Sequence, residues 1–120
     1  SIGSWVTIDA GERLIERGKL PDAMFLIVHG KVRITKDGRI LGNLSAGEIV
    51  GSALILNGIP STVDAVVEEP VRAMRWQLGT LDKYLSANPE TRNVMQRHLA
   101  RDLAAKIGRL VTDSRSDNLA

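Results

Sequence analysis

Met24-Phe25-Leu26-Ile27-Val28-His29-Gly30-Lys31-Val32-Arg33-Ile34-Thr35-Lys36-Asp37-Gly38-Arg39-Ile40-Leu41 is the stretch whose reading decides the fold. Its first part, Met24 to Val28, is a continuous apolar run of strand length, the pattern of a strand buried on both faces. Gly30 is expected to close that strand. Val32 and Ile34 then alternate with Lys31, Arg33 and Thr35, which predicts a half-buried strand with its polar face in water. Asp37-Gly38 is a hairpin signal, because a type I′ turn needs positive φ at both central residues. Ile40, Leu41 and Leu44 begin the return strand.

Outward from this hairpin, short strands are predicted at Thr7–Ile8, Leu14–Ile15, Ile49–Val50, Thr62–Val67 and Val71–Gln77. Short strands separated by turn residues at such spacing suggest a small antiparallel barrel or jelly roll. Trp76 alternates with Met74 and is expected in the core. Beyond residue 77 the period changes. Thr80 can cap a short helix carrying Leu81, Tyr84 and Leu85. Asn88-Pro89-Glu90 reads as a second helix start: a capping side chain, proline at the first helical position and an acid near the positive end of the dipole. Met95, Leu99, Leu103, Ile107 and Leu110 then form one apolar stripe at 100° per residue, with Arg97, His98 and Arg101 opposite. That helix is expected to reach about Val111. The predicted architecture is mainly β with C-terminal helices, in one domain over 1–120. A barrel occupies about 5–77, a short and a long helix about 80–111, and a polar tail 112–120.

Composition narrows the function. Hydrophobic residues are 43% and charged residues 25%, as in ordinary globules, and the net charge is +2. The charges cancel over residues 1–88, so no strong electrostatic case exists for nucleic acid or an anionic membrane. The absence of cysteine excludes thiolate zinc sites and cysteine nucleophiles. His29 and His98 are too few for a three-histidine metal site, or for the His and Glu cluster of a cupin-type dioxygenase. They read as a turn-flanking residue and a solvated helix residue, with no catalytic constellation around them. No apolar run reaches the roughly 18 residues of a membrane span. The chain opens on Ser1, which leads us to expect a piece of a longer protein. A non-enzymatic role follows, with no cofactor and no metal.

The order of the motifs resembles the cyclic nucleotide-binding domain family over nearly the whole chain. The family pattern G-x-x-L-I-x-x-G is matched by Gly11-Glu12-Arg13-Leu14-Ile15-Glu16-Arg17-Gly18, and G-x-V-x-V by Gly30-Lys31-Val32-Arg33-Ile34. The pattern G-D-x-F-G-E is similar to Gly47-Glu48-Ile49-Val50-Gly51-Ser52, and A-T-V-x-A to Ser61-Thr62-Val63-Asp64-Ala65. The resemblance implies a phosphate-binding cassette between the last two, with Gly51, Ser52, Ala53, Leu54, Ser61 and Thr62 as candidate ligand-binding residues. In the family, a short helix there offers backbone N–H groups to the cyclic phosphate. A glutamate just after the glycine accepts from the ribose hydroxyl, and an arginine pairs with the phosphate.

Here Ser52 stands at the glutamate position. The arginine position is Ser61 when aligned forward from Gly51, and Ile59 when aligned backward from Thr62-Val63. Losing both charged partners should weaken binding about 100-fold or more. Arg72, Arg75 or Lys31 could compensate from other strands. Within the family the chain resembles the Popeye-domain group, whose cassette also lacks the usual pair; Thr62-Val63, Arg75-Trp76 and Arg101-Asp102-Leu103-Ala104-Ala105-Lys106-Ile107 are similar to its motifs. The resemblance implies a regulatory domain with weak or altered binding of cyclic AMP or cyclic GMP. It further implies an attached effector or membrane region outside this segment and a cytoplasmic location. Leu99, Leu103 and Ile107 are the expected dimer and signalling residues. The alternative is a ligand-free module that forms a homodimer through the long helix. A DNA-binding role would need a helix-turn-helix beyond it.

Overall fold

In the computed structural model, which describes residues 2–110, the β elements are β1 (Gly3–Ile8), β2 (Arg13–Ile15), β3 (Ala23–Lys36), β4 (Arg39–Leu44), β5 (Ile49–Val50) and β6 (Asp64–Gln77). The helices are α1 (Ser52–Asn57), between β5 and β6, and α2 (Leu78–Ala87) and α3 (Pro89–Leu110), which follow β6. All strand pairs are antiparallel, in the order β1-β6-β3-β4, with β2 on β6 and β5 on β3. This is the jelly-roll type of sheet. The expected closed barrel is corrected in one respect: β1 and β4 end the path and do not pair, so the sheet stays open.

The two long strands organise everything else. β3 runs through Gly30 without stopping, where the sequence predicted two strands, and β6 likewise joins the two predicted strands through Pro70. The register between them shifts between Ile27 and Val32, and the pair bends there. Gly30 has φ 101°, and a Cβ on it would lie 2.8 Å from Val71 Cα, so backbone meets backbone at the bend and only glycine fits. The bend gives each half of β3 its own partner: Phe25 and Leu26 pair with β5, Val32 to Lys36 with β4. It also turns Val28 outward, so the apolar run is not buried on both faces throughout.

The hairpin is as predicted. Asp37 (φ 51°) and Gly38 (φ 77°) both take positive φ, and Lys36 faces Arg39 in register. The main core joins Ile27, Val32, Ile34, Leu44, Val63, Val67 and Val71 with Leu54 of α1. A second cluster joins Met24, Leu81 and Leu99, with Trp76 packed at its edge.

Two predicted caps are corrected. The Gln77 side chain, not Thr80, caps α2, accepting from the Thr80 N–H at 2.7 Å. Asn88 turns its amide back to donate to the Tyr84 carbonyl, closing α2 instead of capping α3. A side chain between two consecutive helices can serve either end. Val111 and the polar tail 112–120 lie outside the described residues. No described helix is long and apolar enough to cross a membrane.

Candidate functional site

The segment between β5 and β6 holds every predicted cassette residue. Gly51 precedes α1 with φ 105°, a left-handed conformation that suits glycine, and the Ile55 N–H reaches its carbonyl at 3.0 Å. Ser52, Ala53 and Leu54 follow in the first turn of α1 and are all buried. Ala53 and Leu54 fill space against the sheet. Ser52 must satisfy a hydroxyl there, since an unpaired buried hydroxyl costs about 1–3 kcal/mol.

Its partners come from α3. Ser52 Oγ donates to Asp102 Oδ2 at 2.7 Å and accepts from Lys106 Nζ at 2.7 Å. Lys106 also donates to the Ile49 carbonyl and sits 2.6 Å from Asp102 Oδ2. The other carboxylate oxygen, Asp102 Oδ1, accepts from the Ile49 N–H at 3.0 Å. The Lys106 side chain is 0% exposed and that of Asp102 9%. All three ammonium protons therefore have acceptors, and the carboxylate collects three donors. Burial holds the Lys106 ammonium below its ordinary lysine range, partly offset by the Asp102 hydrogen bond and charge. One further tie anchors the end of α3: Arg109 pairs with Glu48, whose other oxygen accepts from the Ser45 N–H at 3.0 Å.

The other end of the cassette is closed locally. Ser61 is buried; its hydroxyl donates to the Val63 carbonyl at 2.7 Å and accepts from the Val63 N–H at 3.0 Å. Thr62 beside it is half-buried. Ile59, the alternative position, is exposed. Neither suggested compensating arginine joins the Ser52 network. Arg72 lies on the exposed face of β6 with its guanidinium 5.2 Å from the Trp5 ring centroid, a cation–π contact. Arg75 lies opposite Phe25 and Ser4 in register, half-buried near the end of β6. Lys31 is taken up by Glu68 and Glu69.

The predicted signalling stripe is divided. Leu99 is buried in the second cluster and Leu103 packs on the main core, so both serve this chain's own fold; Ile107 is exposed. Asp102 and Lys106 stand on the same face of α3 as these leucines. The sequence reading quoted them within one motif and did not place them at the site. The available signal was a lysine seven residues after Leu99, hence on the inner stripe, with an acid four residues before it.

Two concavities flank the network. A groove of about 490 Å³ runs beside Asp102, between the β3–β5 edge and α3. An apolar cleft of about 360 Å³ lies between α1, α2 and α3, where Arg92 is engaged by Asp82 and Ser86. The second has mostly hydrophobic walls, with Asp82, Arg92 and Gln96 as its polar lining. Among the described residues no group of His, Cys, Asp and Glu could hold a metal ion.

Residues 5–88 match the family model of the cyclic nucleotide-binding domain, and the chain belongs to that family. The fold is a regulatory, non-catalytic one. The chain is similar to the cGMP-dependent protein kinase egl-4 of Caenorhabditis elegans, 28% identical over 89 residues. That match covers 74% of this chain and 11% of the kinase, so the chain spans about a tenth of its curated relatives. Among solved structures, a cyclic nucleotide-binding domain from Methylobacillus flagellatus superimposes with TM-score 0.79 at 21% identity, covering 89% of this chain and 63% of the other. The N-terminal domain of a transcriptional regulator from Streptomyces coelicolor gives 0.67 at 26%, covering 92% and 82%. The residues matched by the family model stop before α3, so Asp102 and Lys106 lie outside that match.

Proposed function

We propose that this segment is the ligand-sensing unit of a larger regulatory protein, binding cyclic AMP or cyclic GMP weakly and passing the signal through α3. One observation carries the reading: the Ser52 hydroxyl, which stands where the family resemblance places a glutamate, is already engaged by Asp102 and Lys106 of α3. The cassette is thus wired directly to the helix that would transmit the signal. The Ser61 hydroxyl, at one of the two arginine positions, is committed to Val63 and presents no charge. Both features support weak binding.

A calorimetric titration of cyclic AMP and cyclic GMP tests it. The expected dissociation constant is about 0.1 mM or weaker. A value near or below about 1 μM would overturn the weak-binding reading. No heat at about 10 mM nucleotide would overturn the sensing role altogether.

A homodimer through α3 has less support. Of Leu99, Leu103 and Ile107 only Ile107 is exposed, and Val94, the other large apolar residue exposed on that helix among the described residues, lies about 140° around it.

A further inference from the structure

The three donors that surround the Asp102 carboxylate form a small anion site. The Ile49 N–H reaches one oxygen at 3.0 Å, and the Ser52 hydroxyl and Lys106 ammonium reach the other at 2.7 and 2.6 Å. We infer that Asp102 fills, from within the chain, a site that takes the phosphodiester anion of a cyclic nucleotide, and that carboxylate and phosphate compete for the same donors.

Four observations point there. The cation is wholly buried, and a buried ammonium requires a compensating anion. The anion is the more exposed partner and borders solvent through the groove of about 490 Å³, so it can leave while Lys106 stays. That volume falls within the usual range of small-molecule sites, roughly 300–1,000 Å³. Its walls suit a nucleotide: Leu26 and Ile49 supply apolar surface, and His98, Arg101 and Arg109 bring cationic or titratable groups around the approach to Asp102. Arg109 is shared with Glu48, which leaves Arg101 as the free-standing guanidinium of that rim among these residues.

The consequence is an exchange. A phosphodiester carries one negative charge, like the carboxylate, so substitution leaves Lys106 neutralised and the network balanced. The Asp102 side chain must then swing into the groove, and α3 loses its tie to Ser52 and Ile49. Ligand occupancy and that tie exclude one another. This inference rests on the nucleotide-sensing reading for the identity of the anion, but not for the existence of the site.

The test separates the two. Asp102→Ala removes the internal anion, and Asp102→Asn removes its charge while keeping its shape. The thermal midpoint is measured with and without about 100 mM sodium formate or phosphate, against sodium chloride of equal ionic strength. The inference expects these anions to raise the midpoint of Asp102→Ala by a few degrees beyond the wild type's response. Adding Lys106→Met should abolish the effect. Cyclic AMP should bind Asp102→Ala, and to a lesser degree Asp102→Asn, at least about 10-fold more tightly than wild type. If formate and phosphate act alike on all variants, the anion site is overturned whatever the nucleotide does. If cyclic AMP binds wild type and Asp102→Asn equally, or binds Asp102→Ala less well, competition is overturned while the sensing role stands. If anions rescue Asp102→Ala but no variant binds nucleotide, the site stands and the sensing role falls.

Discussion

The two ends of the cassette differ in how they satisfy a buried serine. Ser61 turns on itself, exchanging both of its hydrogen bonds with Val63 two residues away. Ser52 reaches across fifty residues to a carboxylate and an ammonium on another element. Both hydroxyls are buried; Ser52 stands at the glutamate position of the family resemblance, and Ser61 at one of its two alternative arginine positions. The local closure shapes a turn. The distant one couples the cassette to α3 and brings a charge pair into the interior. Burial of a polar group therefore says little about function until its partner is known.

The sharpest way to break this contrast is Lys106→Met. It leaves Asp102 as an unpaired, nearly buried charge, and a loss of about 3–5 kcal/mol is expected in urea unfolding. Combining it with Asp102→Leu should recover most of that loss, because a buried ion pair replaced by apolar groups of similar volume is often neutral or stabilising. A double variant as unstable as the single one would mean that packing of the lysine stem, and not charge compensation, carries the effect.

Ser61→Ala comes next. The Val63 N–H would lose the Ser61 hydroxyl as acceptor in a wholly buried place, at a cost of about 1–3 kcal/mol. Nucleotide affinity per folded molecule should not change. Ser52→Ala should cost less, about 1 kcal/mol, since Asp102 and Lys106 keep each other and the Ile49 backbone groups. Its signature is instead faster amide exchange confined to α3. Equal exchange throughout the chain in both serine variants would erase the distinction between the ends.

The smallest effect concerns pH. The groups facing Lys106 are Asp102, Glu48 and Arg109, and burial dominates, holding its pKa below the ordinary 10.5. In the window just under 10.5 the unfolded chain therefore binds more protons than the folded one, so this group makes stability rise with pH. The deficit of Lys106→Met relative to wild type should be greater at about pH 10 than at about pH 8. A shrinking deficit would show that attraction to Asp102 outweighs burial.

Much of this was legible in the residues. Alternation at Lys31–Thr35, the Asp37-Gly38 turn and the period change after residue 77 are local signals, set by side-chain direction and by φ over a few residues. Together with the order of the glycines they determined the strands, the helices and the family. What tertiary structure alone decided depends on pieces that meet from far apart. Whether Gly30 ends a strand or lets it bend is settled by the approach of Pro70 and Val71. Whether Asn88 caps the helix before or after it depends on how the two helices meet. That Leu99 is buried and Leu103 packs on the main core follows from the docking of α3 and is not stated by the stripe itself. Lys106 is the extreme case. On sequence it is one more cation on a helix; only the packing of α3 on α1 and β5 removes its water and makes Ser52, Ile49 and Asp102 its hydrogen-bond partners. Periodicity states which face of a helix turns inward, but not which atoms it will find there.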